Sequence, residues 1–386
     1  MKIVHVIILQ TLLIISSCKK NNNNTLNKIK LETIKVDAKK DIHEEGDFNT
    51  YFSSYELVAL ETNKQSLFSR INRVFLFKER IFILDKDTKS VLVFSNKGKF
   101  INKIQNIGRG PNEYRSIMDF TIDEKNHHIL LYTDSPVKLL TYDLDCNFIK
   151  SMKTDKLYRW LSSHDNKRIF INGVARDENN MIKEENIDTK ENQILLEKNS
   201  MDKMFVSYGL FTPTITKTEK TYISAPYSDT IYQYDKSGLG AKYFIDFGKN
   251  KISSKTINNI GTPREISSYA REKNLGFGVS NFRNVKNHLV FSYTNHPINI
   301  YSKKDKSLTS FKRFFKHELP FLNYFAHSGN DNKIISILSA SSFKTVMKYS
   351  KEKSLQWKEI PNYIKDINGQ IKLDSNPLLM IYTFKD

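Results

Sequence analysis

The sequence predicts an all-β fold of repeated antiparallel sheets on three observations: period-two patterning, a repeated unit, and strand-like segments at both ends. Past residue 50, short runs alternate apolar and polar residues and are bounded by Asp, Asn, Gly, Lys and Ser, the signature of strands and turns. The unit Arg80 to Asp85, a polar turn, then Val91 to Ile101 finds a counterpart in His128 to Asp134 followed by Leu139 to Ile149. The offset from Ile81 to Ile129 falls in the range of propeller blades.

Weaker echoes follow at Arg168 to Ile171, at Thr221 to Ile223 with Thr230 to Tyr234, at Leu289 to Phe291 with Ile298 to Tyr301, and at Lys333 to Ile335 with Thr345 to Met347. About six units between residues 80 and 350 predict a six-bladed β-propeller of four-stranded antiparallel blades. Tyr55 to Leu60 and Leu378 to Phe384 are both strand-like and are expected to meet in the closing blade, because an unpaired edge invites aggregation. The stripe Phe75, Phe77, Phe82 and Phe94 reads as blade packing. One stretch reads as helix. Thr262-Pro263-Arg264-Glu265 offers a capping threonine, proline at the first helical position and glutamate at the capping-box position. A short rim helix over 263–274 is expected in the gap between the fourth and fifth echoes.

The amino terminus carries an address. Met1-Lys2 is a positive start, and Ile3 to Ile15 is an apolar run too short to span a bilayer but suited to a secretory signal. It ends in Ile15-Ser16-Ser17-Cys18, which resembles the lipobox of bacterial lipoproteins. In that reading cleavage falls between Ser17 and Cys18, the small serines admit the peptidase, and the Cys18 thiolate takes the lipid. The chain therefore divides into a signal peptide (1–17), a lipidated cysteine with a polar, flexible tether (18–49) and the propeller (50–386). Lys and Asn follow Cys18 where surface-exported lipoproteins of some Gram-negative groups carry acids, so an outer-membrane anchor facing the periplasm is expected.

Composition excludes several functions. With only Cys18 and Cys146 there is no disulfide scaffold, zinc ribbon or iron-sulfur cluster. The formal charge of +18 suggests a polyanion partner, yet the lysines are interleaved with acids, as in Lys303-Lys304-Asp305-Lys306, and nucleic-acid binding is not expected. A coherent positive face and a steep salt dependence would reverse that expectation.

The first two units, with Ile107 to Tyr114 and Asp119 to Asp123 between them, resemble NHL-type repeats and the six-bladed β-propeller lipoproteins of Gram-negative bacteria. Ser228 to Tyr232, Tyr243 to Gly248 and Asn376 to Tyr382 fit the same pattern, so the resemblance spans most of the mature chain. Two positions depart from it: Asn112 stands where a glycine is usual, and Cys146 replaces in the second unit the turn glycine seen at Gly98. The resemblance implies a fold and an address, and no activity.

Candidate sites are few. Gly108-Arg109-Gly110-Pro111-Asn112-Glu113-Tyr114 presents a guanidinium, a carboxylate and a phenol in one rigid loop, able to bind a sugar or carboxylated ligand. Its position at a blade junction favours a structural role, in which Arg109 pairs with an acid and Tyr114 packs between blades. Tyr158-Arg159-Trp160 is a candidate stacking platform, through Tyr158 and Trp160, and the helix with Arg264 and Arg271 a candidate recognition rim. His127 and His128 are adjacent and point to opposite faces, and His43, His164, His288, His296, His317 and His327 show no ligand spacing. Asp119, Asp123, Asp134 and Asp229 read as turn chemistry, with calcium in a central channel the one cofactor left open. No nucleophile elbow, zincin helix, P-loop or dinucleotide motif is present. The expectation is a monomeric, non-catalytic binding or scaffolding module for a protein, peptide or glycan. The alternative is a carbohydrate- or lactone-active hydrolase or lyase whose site is assembled from several blades.

Overall fold

The computed structural model describes residues 29–39, 42–154, 157–172, 179–208, 214–217, 219–225, 228–294, 296–315, 327–328, 332–352 and 358–385. Cys18, Ser17 and the rest of the expected signal lie outside them. Two short strands come first, β1 (Glu32–Lys35) and β2 (His43–Asp47), then one helical turn, α1 (Phe48–Tyr51), and β3 (Phe52–Ala59).

The chain next lays down sheets in order. Sheet I holds β4 (Arg73–Phe77), β5 (Arg80–Asp85), β6 (Ser90–Ser95) and β7 (Phe100–Ile104). Sheet II holds β8 (Ile117–Asp123), β9 (His128–Asp134), β10 (Val137–Asp143) and β11 (Phe148–Lys153). Sheet III holds β12 (Trp160–His164), β13 (Lys167–Ile171), β14 (Asn180–Asn186) and β15 (Asn192–Glu197). After α2 (Ser200–Ser207), sheet IV is built of β16 (Thr214–Lys217), β17 (Thr221–Ser224), β18 (Thr230–Asp235) and β19 (Gly238–Asp246). Then α3 (Ser254–Ile260) and α4 (Pro263–Glu272) precede sheet V, with β20 (Ser280–Val285), β21 (His288–Tyr293), β22 (His296–Ser302) and β23 (Leu308–Phe315). Sheet VI contains β24 (His327–Ser328), β25 (Lys333–Leu338) and, after α5 (Ala340–Glu352) and α6 (Asn362–Gln370), β26 (Leu378–Phe384).

Within every sheet these consecutive strands pair antiparallel, and between sheets β8 lies against β12, β16 against β20 and β4 against β24. The result is a propeller-like all-β architecture. Alternating buried residues fill the spaces between sheets: Phe82, Phe120, Ile122 and Tyr142 join sheets I and II in one cluster, to which Phe75 and Phe77 pack. The repeat holds in backbone terms where it matters. Gly98 and Cys146 occupy equivalent hairpins with φ of 80° and 72°, so the left-handed turn survives the loss of glycine.

The two ends of the chain meet as expected. β3 pairs with β26 from Leu378 opposite Ala59 to Phe384 opposite Phe52, and it forms the outer strand of sheet VI. Burying both faces of this pairing places Phe52 and Tyr382 in the same core cluster as Val285 and Ile300 of sheet V.

Three expectations are corrected. Folded structure begins before residue 50: β1 pairs parallel to β19 and β2 parallel to β23, covering the outer edges of sheets IV and V. Neither segment alternates convincingly in sequence, and each is a strand because a neighbouring edge supplies its hydrogen-bond partners. Helix is more abundant than the single predicted segment. α4 is capped as anticipated, Thr262 accepting from the Glu265 N–H and donating to its carboxylate at 2.6 Å, but α1, α2, α3, α5 and α6 go beyond that expectation. Thr345 to Met347 in particular lies within α5, where Ala340, Phe343, Met347 and Ser350 fall on one buried stripe at helical spacing.

Candidate functional site

The topology sorts the connections to two ends. Hairpins between first and second, and third and fourth, strands of each sheet lie at one end. Second-to-third connections and the links between sheets lie at the other, and with them α2 to α6. The loop 108–114, the segment 158–160 and α4 therefore all belong to the helix-bearing end, although they are far apart in sequence.

The first strands bring a polar cluster to the centre. Arg73 of β4 pairs with Asp119 of β8, and the same guanidinium nitrogen donates to Phe120 O at 3.0 Å and to Leu161 O of β12 at 2.8 Å. Asp119 is 2% exposed and also accepts from the Leu161 N–H at 2.8 Å. Three sheets are thus clamped by one ion pair. From sheet IV, Lys217 reaches across to Ile122 O of sheet II at 2.7 Å and to the Glu124 carboxylate at 3.2 Å. Thr216 donates to Phe282 O of sheet V at 2.8 Å, beside Arg283, which donates to the same carbonyl at 2.7 Å. Burial pushes the Lys217 ammonium below its ordinary range and the Asp119 carboxyl above its own; Glu124 opposes the first shift, Arg73 and Lys86 the second.

These central cations are already bound to backbone carbonyls and carboxylates of neighbouring sheets. Lys86, in the turn between β5 and β6 at the helix-bearing end, is different. Its ammonium is pushed down chiefly by burial, within the electrostatic field of Asp119, Arg73, Arg159 and Asp134. Its side chain makes no hydrogen bond or ion pair among the described residues. Sequence reasoning missed both Lys86 and Arg73, since each is an ordinary strand-end residue until six sheets bring the first strands together.

The loop 108–114 is folded on itself. Glu113 turns back so that its carboxylate accepts from the Gly110 N–H at 2.8 Å and fills the space beside Gly108, where a Cβ would overlap it. Lys138 donates to Gly110 O at 3.0 Å and Pro111 O at 2.9 Å, while the buried Tyr114 donates to Lys89 O at 3.1 Å. Arg109 is exposed, and no acid pairs with it among the described residues. Tyr158 does not form an open platform: it is 2% exposed, with its ring 4.9 Å from that of Phe170 and the Lys183 ammonium 5.6 Å from its centre. Trp160 is half-buried against the core between sheets III and IV. Arg264 and Arg271 are exposed on α4, the latter donating to Ser268 at 3.2 Å.

The four aspartates go separate ways. Asp119 is paired as above, Asp123 caps its hairpin by accepting from Asn126, Asp134 accepts from Ser116, and Asp229 pairs with Lys251 at 2.5 Å. Among the described residues no three His, Cys, Asp or Glu side chains converge as a metal-ligand set. The Cys146 thiol is pushed up to about 12 by burial, which disfavours the thiolate.

This fold and centre define a propeller-like all-β protein in which Arg73 and Lys217 bind carbonyls and carboxylates of neighbouring sheets. The chain belongs to the family described as domain of unknown function DUF4934, whose pattern it matches over residues 31–383. No curated protein matches it. Among solved structures it is similar to a "putative exported protein" from Bacteroides fragilis, at 15% identity and a TM-score of 0.71 over 92% of this chain and 100% of that one. That likeness shows a shared fold. BamB from Moraxella catarrhalis aligns at 10% identity and a TM-score of 0.37 over 66% of this chain and 63% of its own. Virginiamycin B lyase from Staphylococcus aureus aligns at 11% identity and a TM-score of 0.40 over 73% and 80%. No helix among the described residues is long and apolar enough to cross a membrane.

Proposed function

We propose that the chain is a closed six-bladed propeller, held in the cell envelope by a lipid on Cys18, that works as a non-catalytic binding module. The observation that carries the binding reading is the state of the central cluster. Arg73, Lys217 and Arg283 are engaged by carbonyls and hydroxyls of neighbouring sheets, with Asp119 and Glu124 as counter-charges, so their polar groups join sheets to each other. Among the side chains left at the helix-bearing end are Lys86 and the exposed Arg109, Arg159, Arg264 and Arg271, interspersed with the acids Asp87, Glu265 and Glu272. That arrangement suits a ligand with carboxylate or sulfate groups, an acidic glycan or an acidic peptide stretch. Closure is supported by the pairing of β3 with β26, and the envelope address by the lipobox-like Ile15 to Cys18. The anchor is read as facing the periplasm from the outer membrane.

The test is binding of the full chain to an array of neutral and acidic glycans and to polyglutamate, with and without EDTA. Acidic ligands bound equally with and without EDTA, and lost in Lys86→Gln/Arg159→Gln, are the expected result. Binding of a neutral saccharide abolished by EDTA, followed by its turnover, would replace this reading with that of an envelope hydrolase or lyase.

A further inference from the structure

The hairpin end of the molecule is unevenly charged, and the unevenness coincides with the place where the chain leaves for its amino terminus. In the hairpins of sheets IV and V, six lysines (Lys220, Lys236, Lys286, Lys303, Lys304 and Lys306) face two carboxylates, Glu219 and Asp305. In the hairpins of sheets I to III, five lysines face six carboxylates. Lys236, Lys286, Lys304 and Lys306 are exposed. Two hydrogen bonds organise the group: Lys303 donates to Lys286 O at 2.5 Å, and Asp305 accepts from Ser302 at 2.8 Å.

The direction of β1 points the chain to this same sector. β1 runs parallel to β19, which itself starts at the Lys236-Ser237 hairpin, so the residues before Glu32 come from that end. The Glu32 carboxylate, at the start of β1, lies 3.7 Å from the Lys306 ammonium of the β22–β23 hairpin. Ile29, where the described chain begins, stands only eleven positions after Cys18. Fully extended that stretch reaches at most about 40 Å, and as a coil it averages about 18 Å, less than the width of the domain. A lipid at Cys18 therefore keeps the hairpins of sheets IV and V nearer the bilayer than the helix-bearing end.

We propose that these hairpins are a membrane-contact surface, the lysines lying on anionic lipid headgroups. The proposal rests on the lipid-anchor reading above. Lysines occur at both ends of the molecule; the short reach to Cys18 selects this one. The lipid on Cys18 holds the chain at the bilayer, and a basic patch adds electrostatic contact with anionic headgroups that orients the domain on it. The same geometry turns the helix-bearing end, with Lys86 and the exposed arginines, away from the bilayer and toward a ligand.

Two measurements separate the proposal from the reading beneath it. Palmitate labelling of the wild type and of Cys18→Ala tests the anchor alone: label present in the first and absent in the second is expected, and equal labelling removes the anchor. Vesicle co-sedimentation of the mature chain carrying Cys18→Ala (residues 18–386) tests the lysines without the lipid or the apolar signal. It is expected to partition onto phosphatidylcholine vesicles containing a third phosphatidylglycerol and not onto pure phosphatidylcholine. Lys236→Gln/Lys304→Gln/Lys306→Gln is expected to lower that partition about 100-fold, roughly fivefold per lysine. The control Lys255→Gln/Lys348→Gln/Lys372→Gln, at the other end, is expected to stay within about twofold of the parent. Equal losses in the two triple variants, or no preference for anionic vesicles, would overturn the proposal.

Discussion

Asp119→Ala is the perturbation that most directly tests the central clamp. Removing the carboxylate leaves the Arg73 guanidinium, whose side chain is 14% exposed, without its counter-charge, and it strips the Leu161 N–H of its acceptor. Breaking a buried ion pair by deleting one partner costs about 3–5 kcal/mol, much of it the cost of the charge left behind. The orphaned amide belongs to the same loss rather than adding to it in full, so about 4 kcal/mol is expected. For a domain of this size that corresponds to a fall in Tm of roughly 5 °C. Asp119→Asn, which keeps an oxygen for Leu161, should lose about half as much. Arg73→Met/Asp119→Leu removes both charges and should be more stable than Asp119→Ala alone. Urea denaturation of the wild type, Arg73→Met, Asp119→Leu and the double variant, read as a double-mutant cycle, supplies the coupling. A loss below about 1 kcal/mol for Asp119→Ala, or additive single effects, would refute the claim that this pair binds sheets I, II and III together.

Acidification should loosen the attachment of the amino-terminal strands. His296 is buried, stacked on Tyr293 at 4.4 Å, and its Nε2 bonds Ala38 O at 3.1 Å, while Nδ1 has no hydrogen-bond partner among the described residues. Burial lowers its proton affinity, as it does for His164 and His288. Below pH about 6.5 the unfolded histidines take protons that the folded ones refuse, so stability present above that pH is lost as pH falls. Denaturant midpoints between pH 7.5 and 5.5 should show this, with a shallower slope in His296→Phe; a flat profile would contradict it. Glu113→Ala should cost about 1–2 kcal/mol through the lost Gly110 contact, whereas Arg109→Ala should stay within about 0.5 kcal/mol. Paired melting curves distinguish the two, and equal losses would restore Arg109 to a structural role. Gly98→Ala places a side chain at φ 80°, overlapping Ala59 O and 3.1 Å from Val58 Cγ1. It should cost about 3 kcal/mol, more than Cys146→Ala at the equivalent turn, where a side chain is already accommodated.

Strand identity was legible wherever one face of a segment is buried, because burial imposes period two on the residues themselves. The repeat from Ile81 to Ile129, the cap at Thr262 and the match between Tyr55 to Leu60 and Leu378 to Phe384 are local properties of this kind, and each stands in the structure as read. The candidate site was less legible. The loop 108–114 was visible through its glycines, yet which of its charged residues turns inward depended on Gly108 leaving room for Glu113 and on Lys138 arriving from β10.

By itself, the sequence determined that this is a repeated β protein whose two ends share a sheet, since those features follow from side-chain periodicity and from turns that particular residues permit. Tertiary structure alone decided the rest. β1 and β2 have too few alternating residues to declare themselves and became strands on the open edges of β19 and β23. Arg73, Lys86, Asp119 and Lys217 acquired meaning only when the first strands of different sheets were placed side by side, because an ion pair depends on distance through space and leaves no period along the chain.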